Sequence, residues 1–388
     1  MMRFFSVFMP ALLISFGTAI SLGFSRFDYA LILPSMMESL GWSYSEAGWL
    51  NAANAIGYLA GAVWTGRVIA RFPVRTLFLG GLVLTAISVL ASGLVASYPL
   101  LLLLRLTAGG FGALSFIAGS ILVSGLFPHD PHRSGTAISL YTGGGGFGIL
   151  VSGLFLPFLF SKYGADFWPR AWMVLGVAGL LFAWLSSLAS RSPESIPQDP
   201  SDSPSWDPRF FIPALMGYFL FGVGYLIYMT YFIKWVEDNG YGPSMTAFVW
   251  GILGLSVLLS PLFWRGMLSR YPGGRSLGLS IALTSMGALI PLLSRSLPAM
   301  LLSALVFGFS FLNVPAAATA MLRTSLPRAL WGQSITLFTV VFALGQIIGP
   351  ALGGMISDHS GNLFSGLAFS VLALAGGAIV SLFQRQRG

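Results

Sequence analysis

Read for its alternation of apolar and polar positions, the chain is a series of long charge-free runs separated by short polar breaks. Thr76–Leu104, Ser134–Ser161, Phe210–Ile233, Asn239–Trp264, Ser276–Ser294, Ser296–Leu322, Ala329–Ser357 and Ser360–Gln384 contain no Asp, Glu, Lys or Arg. A helix needs about 20 apolar residues to cross a bilayer. A barrel strand needs about ten residues with strict alternation, and these runs are too long and too uniform for that. The pattern predicts twelve transmembrane helices near 6–33, 45–66, 76–96, 99–126, 135–160, 171–189, 210–233, 243–264, 276–294, 297–322, 331–357 and 362–383. The first run carries only Arg3 ahead of it and lacks a small-residue cleavage site, so it reads as a retained helix and not a removed signal.

Composition supports the same picture. Of 388 residues, 55% are hydrophobic and 8% charged, where soluble domains run near a quarter charged. That excludes an ordinary soluble enzyme, a nucleic-acid-binding domain and a disordered scaffold. The 48 glycines suit close helix packing in lipid. No cysteine is present, so disulfides and thiolate metal sites are excluded. The net charge of +8 follows the positive-inside bias and gives no reason to expect nucleic acid. With the N-terminus inside, 14 of the 20 basic residues fall in cytoplasmic segments and four (Lys162, Arg170, Lys234, Arg295) outside. Both termini are therefore expected to be cytoplasmic.

The longest polar stretch, Arg191–Asp207, reads as a flexible cytoplasmic linker. It divides the chain into a bundle over 1–190, a linker over 191–208 and a second bundle over 209–388. The bundles resemble each other. Trp64, Gly66, Arg71-Phe72-Pro73 and Arg75 are matched by Trp264, Gly266, Arg270-Tyr271-Pro272 and Arg275, at an offset of 199 or 200. Gly144, Gly148, Ser152 and Gly153 in span five parallel Gly345, Gly349, Gly353 and Gly354 in span eleven. A duplicated six-helix unit is a transporter design, with the binding site between the halves.

On these residues the chain resembles the major facilitator superfamily (MFS) over essentially its whole length. Gly66–Arg75 is similar to that family's loop motif between helices two and three, with Ala70 where Asp is usual and Pro73 where Gly is usual. Arg105 followed by Gly109 and Gly112 resembles its helix-four motif. Gly345-x-x-x-Gly349-Pro350-x-x-Gly353-Gly354 looks like the antiporter glycine motif but lies in helix eleven, and helix five has Ile149 at the expected Pro, so antiport does not follow. Gly23-Phe24-Ser25-Arg26-Phe27, Leu33-Pro34 and Gly48-Trp49-Leu50 are similar to the YbfB-like bacterial subgroup. The resemblance implies an all-α polytopic fold of two pseudo-symmetric bundles, a multi-pass protein of the bacterial plasma (inner) membrane, and helices one, four, seven and ten around a central cavity.

Charge inside a span costs roughly 2.5–3.5 kcal/mol on insertion scales and so faces a cavity or a partner. Arg26 and Asp28 in span one and Arg105 in span four fall at similar depth in the outer half. One reading is an anion site with Asp28 exchanging a proton; the other is a static ion-pair cluster. Asn51, Asn54 and Tyr58 share a face of helix two, and Tyr218, Tyr225 and Tyr228 a face of helix seven. Asn313 and Gln346 stand alone in helices ten and eleven. Of these, Asn54, Tyr225, Tyr228, Asn313 and Gln346 join Arg26 and Arg105 as substrate-site candidates, with interhelical hydrogen bonding as the alternative. Lys234, Arg71, Arg75, Arg270 and Arg275 are gating candidates, and Lys234 is expected to meet Asp28 when the outer ends close. Gly143–Gly146 is not a nucleotide loop, since no strand precedes it and no Gly-Lys-Ser/Thr follows. His129 and His132 share a loop without further ligands, so no metal is expected. No nucleophilic triad or paired carboxylate supports enzymatic chemistry, and no cofactor is implied. The expectation is a monomeric, proton-coupled secondary transporter of a small organic solute, an anion favoured. The alternatives are a multidrug or metabolite exporter of the same fold, or a non-transporting solute sensor.

Overall fold

The computed structural model describes residues 2–128, 130–190, 207–264, 274–327 and 330–385. Among the described residues every regular element is helical. The first span is built in three parts, Met2–Thr18, a π-helical stretch Ala19–Phe27, and Tyr29–Leu40; together they form α1. It ends at Gly41, whose φ of 66° is the left-handed conformation that Gly adopts without strain. Next come α2 Tyr44–Val68, α3 Val74–Ser92, α4 Tyr98–Ser124, α5 Pro131–Tyr163 and α6 Trp168–Ser187. The second half holds α7 Ile212–Asp238, α8 Pro243–Trp264, α9 Gly274–Leu293, α10 as Leu297–Phe311 plus Asn313–Ser325, α11 Trp331–Ser360 and α12 Leu363–Leu382.

Eleven of these are long and apolar enough to cross a membrane. The twelfth, α2, is 25 residues long and opens with a capping box, in which the Ser43 and Glu46 side chains each accept from the other's backbone N–H. Its Asn51, Asn54 and Thr65 lower its hydropathy, yet all three are buried, because α2 packs along α4 in its own half and α11 in the other. The expected continuous span ten is broken at Leu312. Pro315 has no N–H to offer the Phe311 carbonyl one turn back.

The duplication read in the sequence is visible in the packing. A Cβ on Gly144 would lie 2.1 Å from the Ser15 carbonyl oxygen, and one on Gly148 2.8 Å from that of Ala19. In the second half, Gly345 stands 2.2 Å from the Phe219 oxygen and Gly349 2.4 Å from that of Val223 on the same construction. Ser15 to Phe219 and Ala19 to Val223 are the same step along the chain, so α5 rides on α1 as α11 rides on α7. The halves meet through α2 with α11, α5 with α8, and the outer part of α1 with α7. Here "outer" means the end that the charge pattern assigns to the outside. The linker residues 191–206, Arg265, Arg270, His129 and Arg328 lie outside the described residues.

Candidate functional site

The π-helical stretch of α1 carries the intramembrane charges. Its wider register is closed by the Asp28 N–H donating to the Gly23 carbonyl, five residues back, at 2.9 Å. Gly23 also lies against Gly148 of α5, where a Cβ would come 2.9 Å from the Gly148 Cα. Asp28 is fully buried, and its Oδ1 accepts from the Ser152 hydroxyl at 2.6 Å. Its Oδ2 has no hydrogen-bond partner. The Trp250 indole of α8 faces the same carboxyl, its N–H outside hydrogen-bond geometry. Asp28 thus sits where α1, α5 and the opposite half converge.

Arg26 is turned elsewhere. Its guanidinium lies over the Tyr58 ring of α2, 5.2 Å from the centroid. It is 4% exposed, and Nε and Nη2 are buried without partners. Arg105 is 1% exposed and held between aromatic faces, 5.0 Å from Tyr29 and 5.2 Å from Trp172. Its Nη1 donates to the Ser25 carbonyl at 2.5 Å. Among the described residues the ion pairs are Arg133 with Asp130 and Lys234 with Asp238. The static cluster pairing Asp28 with an arginine is therefore absent among the described residues: Asp28 turns to Ser152, Arg26 to Tyr58, and Arg105, on α4, to Tyr29 and Trp172.

The polar candidates divide in two. Asn54 donates to the Arg105 carbonyl at 3.1 Å and so ties α2 to α4. Asn313 donates to Ser280 at 2.7 Å, joining α10 to α9. Tyr228 exchanges a hydrogen bond with Ser303 at 2.6 Å and stacks on Phe307. Gln346 and Tyr225, by contrast, bond to each other, the amide donating to the Tyr225 hydroxyl. Tyr225 lies within electrostatic range of both Arg26 and Tyr58. Phe27 of α1 meets Phe311 of α10 edge-on at 5.8 Å. Arg26, Tyr58, Phe27, Tyr225 and Phe311 are thus the side chains that the fold brings near one another across the halves, with Gln346 and Phe342 beside Tyr225.

The outer end is closed by a device absent from the sequence reading. The Asp358 carboxylate of α11 accepts the Tyr44 N–H at 2.9 Å, the Ser45 N–H at 2.8 Å and the Ser45 hydroxyl, capping α2 from the other half. Tyr231 donates to the Tyr44 carbonyl at 2.7 Å, and deeper in, Asn51 donates to Thr230 at 2.6 Å. Lys234 pairs with Asp238 on its own helix and not with Asp28, which lies buried inside α1's outer arm and is engaged by Ser152. Arg75 donates to Ser190 and to the Ser187 carbonyl at the end of α6. Arg71 and Arg275 are exposed.

Ser152 was within reach of sequence reasoning. It continues the Gly144–Gly148 row at the next i+4 position, on the face of α5 turned to α1. Asp358 and Trp250 offered no such signal, since their partners lie hundreds of residues or a half-molecule away.

Two six-helix bundles related by duplication, with a polar and aromatic centre between them, define the fold of the major facilitator class. The chain belongs to the family described as uncharacterised MFS-type transporter YbfB, whose pattern it matches over residues 18–382. Among curated relatives it is 26% identical over 172 residues to multidrug resistance protein MdtG of Escherichia fergusonii, covering 42% of this chain and 41% of that one. It is 24% identical to the uncharacterized MFS-type transporter Rv1250 of Mycobacterium tuberculosis, covering 89% of this chain and 54% of the relative. It thus spans about half or less of the length of both. Multidrug resistance protein 2 of Bacillus subtilis is 24% identical with 88% of each chain covered. Among solved structures, the nucleoside transporter NupG superposes with a TM-score of 0.72 at 13% identity, covering 97% of this chain and 97% of that one. The D-xylose-proton symporter does so with a TM-score of 0.74 at 16% identity, covering 99% and 98%. At that identity the likeness is one of fold.

Proposed function

We propose that the chain carries a small organic anion across the plasma membrane by alternating access, coupled to protons, with both termini cytoplasmic. The observation behind this reading is Arg26, a guanidinium almost wholly buried between the halves with Nε and Nη2 unpartnered. A buried charge without a counter-ion is costly, and an incoming carboxylate supplies forked acceptors that satisfy it. Asp28 supplies the second half of the reading. It has no cation beside it, it lies against the opposite bundle, and a proton removes the cost of burying its charge. Separate placement of the two lets solute and proton bind at once.

The test is transport by purified protein in proteoliposomes. Asp28→Asn is expected to abolish accumulation driven by an inward proton gradient while exchange of labelled solute continues. Accumulation equal to wild type at every pH would remove Asp28 as the proton carrier. The aromatic side chains around Tyr225 and the similarity to multidrug resistance protein 2 favour a second reading, export of a lipophilic solute. It would show as transport of a lipophilic cation unaffected by Arg26→Gln.

A further inference from the structure

The body of the solute is written in the second half. Tyr225 lies within 16° of parallel to Phe221 at 5.0 Å, within 13° of Phe311 at 5.8 Å, and within 17° of Phe342 at 5.6 Å. These rings come from α7, α10 and α11, and their common tilt makes one slab of aligned faces. The Tyr225 hydroxyl accepts from the Gln346 amide, which holds its ring at the edge. Across from it stands Arg26, backed by Tyr58 on its own side. Arg26 is the cation near Tyr225, while Arg105 is held between Tyr29 and Trp172. A buried guanidinium with one stacked ring and two unpartnered donors on one side, and aligned aromatic rings on the other, describe the ligand's two ends.

We infer that the solute is a flat, conjugated monocarboxylate, its carboxylate on Arg26 and its ring laid against the Tyr225–Phe342 face. This rests on the anion-transport reading and narrows it to one chemical class. Aromatic pairs gain free energy beyond the area they bury, and a saturated ring of equal size does not, which corresponds to a preference of about two- to twelvefold for the flat ring. Losing the carboxylate's charge-assisted hydrogen bonds lowers affinity by at least about tenfold.

Calorimetric titration of the purified full chain with benzoate, cyclohexanecarboxylate, benzamide and phthalate tests both ends. Benzoate is expected to bind best, cyclohexanecarboxylate about two- to twelvefold more weakly, and benzamide at least about tenfold more weakly. Phthalate should gain nothing over benzoate. Phe342→Leu should erase the preference for benzoate over cyclohexanecarboxylate and keep that over benzamide; Arg26→Gln should do the reverse. Equal binding of benzoate and cyclohexanecarboxylate overturns the flat-ring inference and leaves the anion reading standing. Tighter binding of phthalate overturns the single-charge clause. Benzamide matching benzoate, or tetraphenylphosphonium binding where no acid does, overturns the anion reading and the inference with it. No binding of any compound to protein with an unaltered melting transition overturns the inference.

Discussion

Arg26 and Arg105 are the same residue type at similar depth, and their surroundings give them different work. Arg105 has one hydrogen bond to Ser25 and an aromatic face on each side, which hold its plane in place while its Nε and Nη2 stay unpartnered. Arg26 has the same two idle donors but only one ring stacked on its guanidinium, Tyr58, and, among the described residues, no hydrogen bond that holds it. Arg105→Lys is therefore expected to cost about 1–3 kcal/mol of stability, since an ammonium cannot stack between two rings or hold a planar bond. Arg26→Lys should leave thermal unfolding nearly unchanged and weaken binding of an anionic solute by about tenfold or more. Melting curves and titrations on the two variants check this, and the opposite pattern would exchange the two roles. The sequence was informative in finding both arginines, because charge in an apolar run stands out. Their orientations were not legible, because the π stretch that carries Arg26 leaves no compositional mark and the rings that hold Arg105 come from two other helices. Asn54 and Asn313 show the same limit: a polar residue on a helix face looks alike whether it meets a solute or a neighbouring helix's carbonyl or hydroxyl.

Helices were the most legible level, because about twenty apolar residues in a row have few alternatives in lipid. The misreadings occurred where a helix departs from regularity. Span one was expected over 6–33 and runs to Leu40 through its π turn, and span ten breaks before Pro315. The outer closure lies at this scale too. Asp358 caps α2 from 314 residues away, so nothing local announces it. A carboxylate accepting the first N–H groups of a helix contributes about 0.5–2 kcal/mol. Here it does so only while the outer ends are together, so its whole value biases the closed state. Asp358→Ala should raise the outside reactivity of a single cysteine at Thr230→Cys, beneath the cap, by about two- to thirtyfold. Reactivity unchanged from the Thr230→Cys background would show that the cap does not hold the closure.

At the scale of the whole molecule, glycines separate what folds each half from what lets the halves move. Gly57 lies within the first half, and a Cβ there would come 1.9 Å from the Leu106 carbonyl oxygen of α4. Gly48 lies between the halves, and its Cβ would come 2.2 Å from the Pro350 oxygen of α11 and 2.6 Å from the Tyr231 hydroxyl. Both approaches are impossible for a real side chain, yet the consequences should differ. The α2–α4 contact belongs to the bundle in every state, so Gly57→Ala has to strain the fold and should lower the melting temperature. The Gly48 contact exists only when the outer ends meet, and alternating access provides a state in which they are apart. Gly48→Ala should then shift the population toward that state with the bundles themselves intact. The expected result is a small change in melting temperature, high outside reactivity at Thr230→Cys, and loss of transport with solute binding retained from the outside. If Gly48→Ala instead melts as early as Gly57→Ala and its cysteine stays unreactive, the α2–α11 contact is permanent and the halves move about another seam, leaving α5 and α8 as the surface that slides.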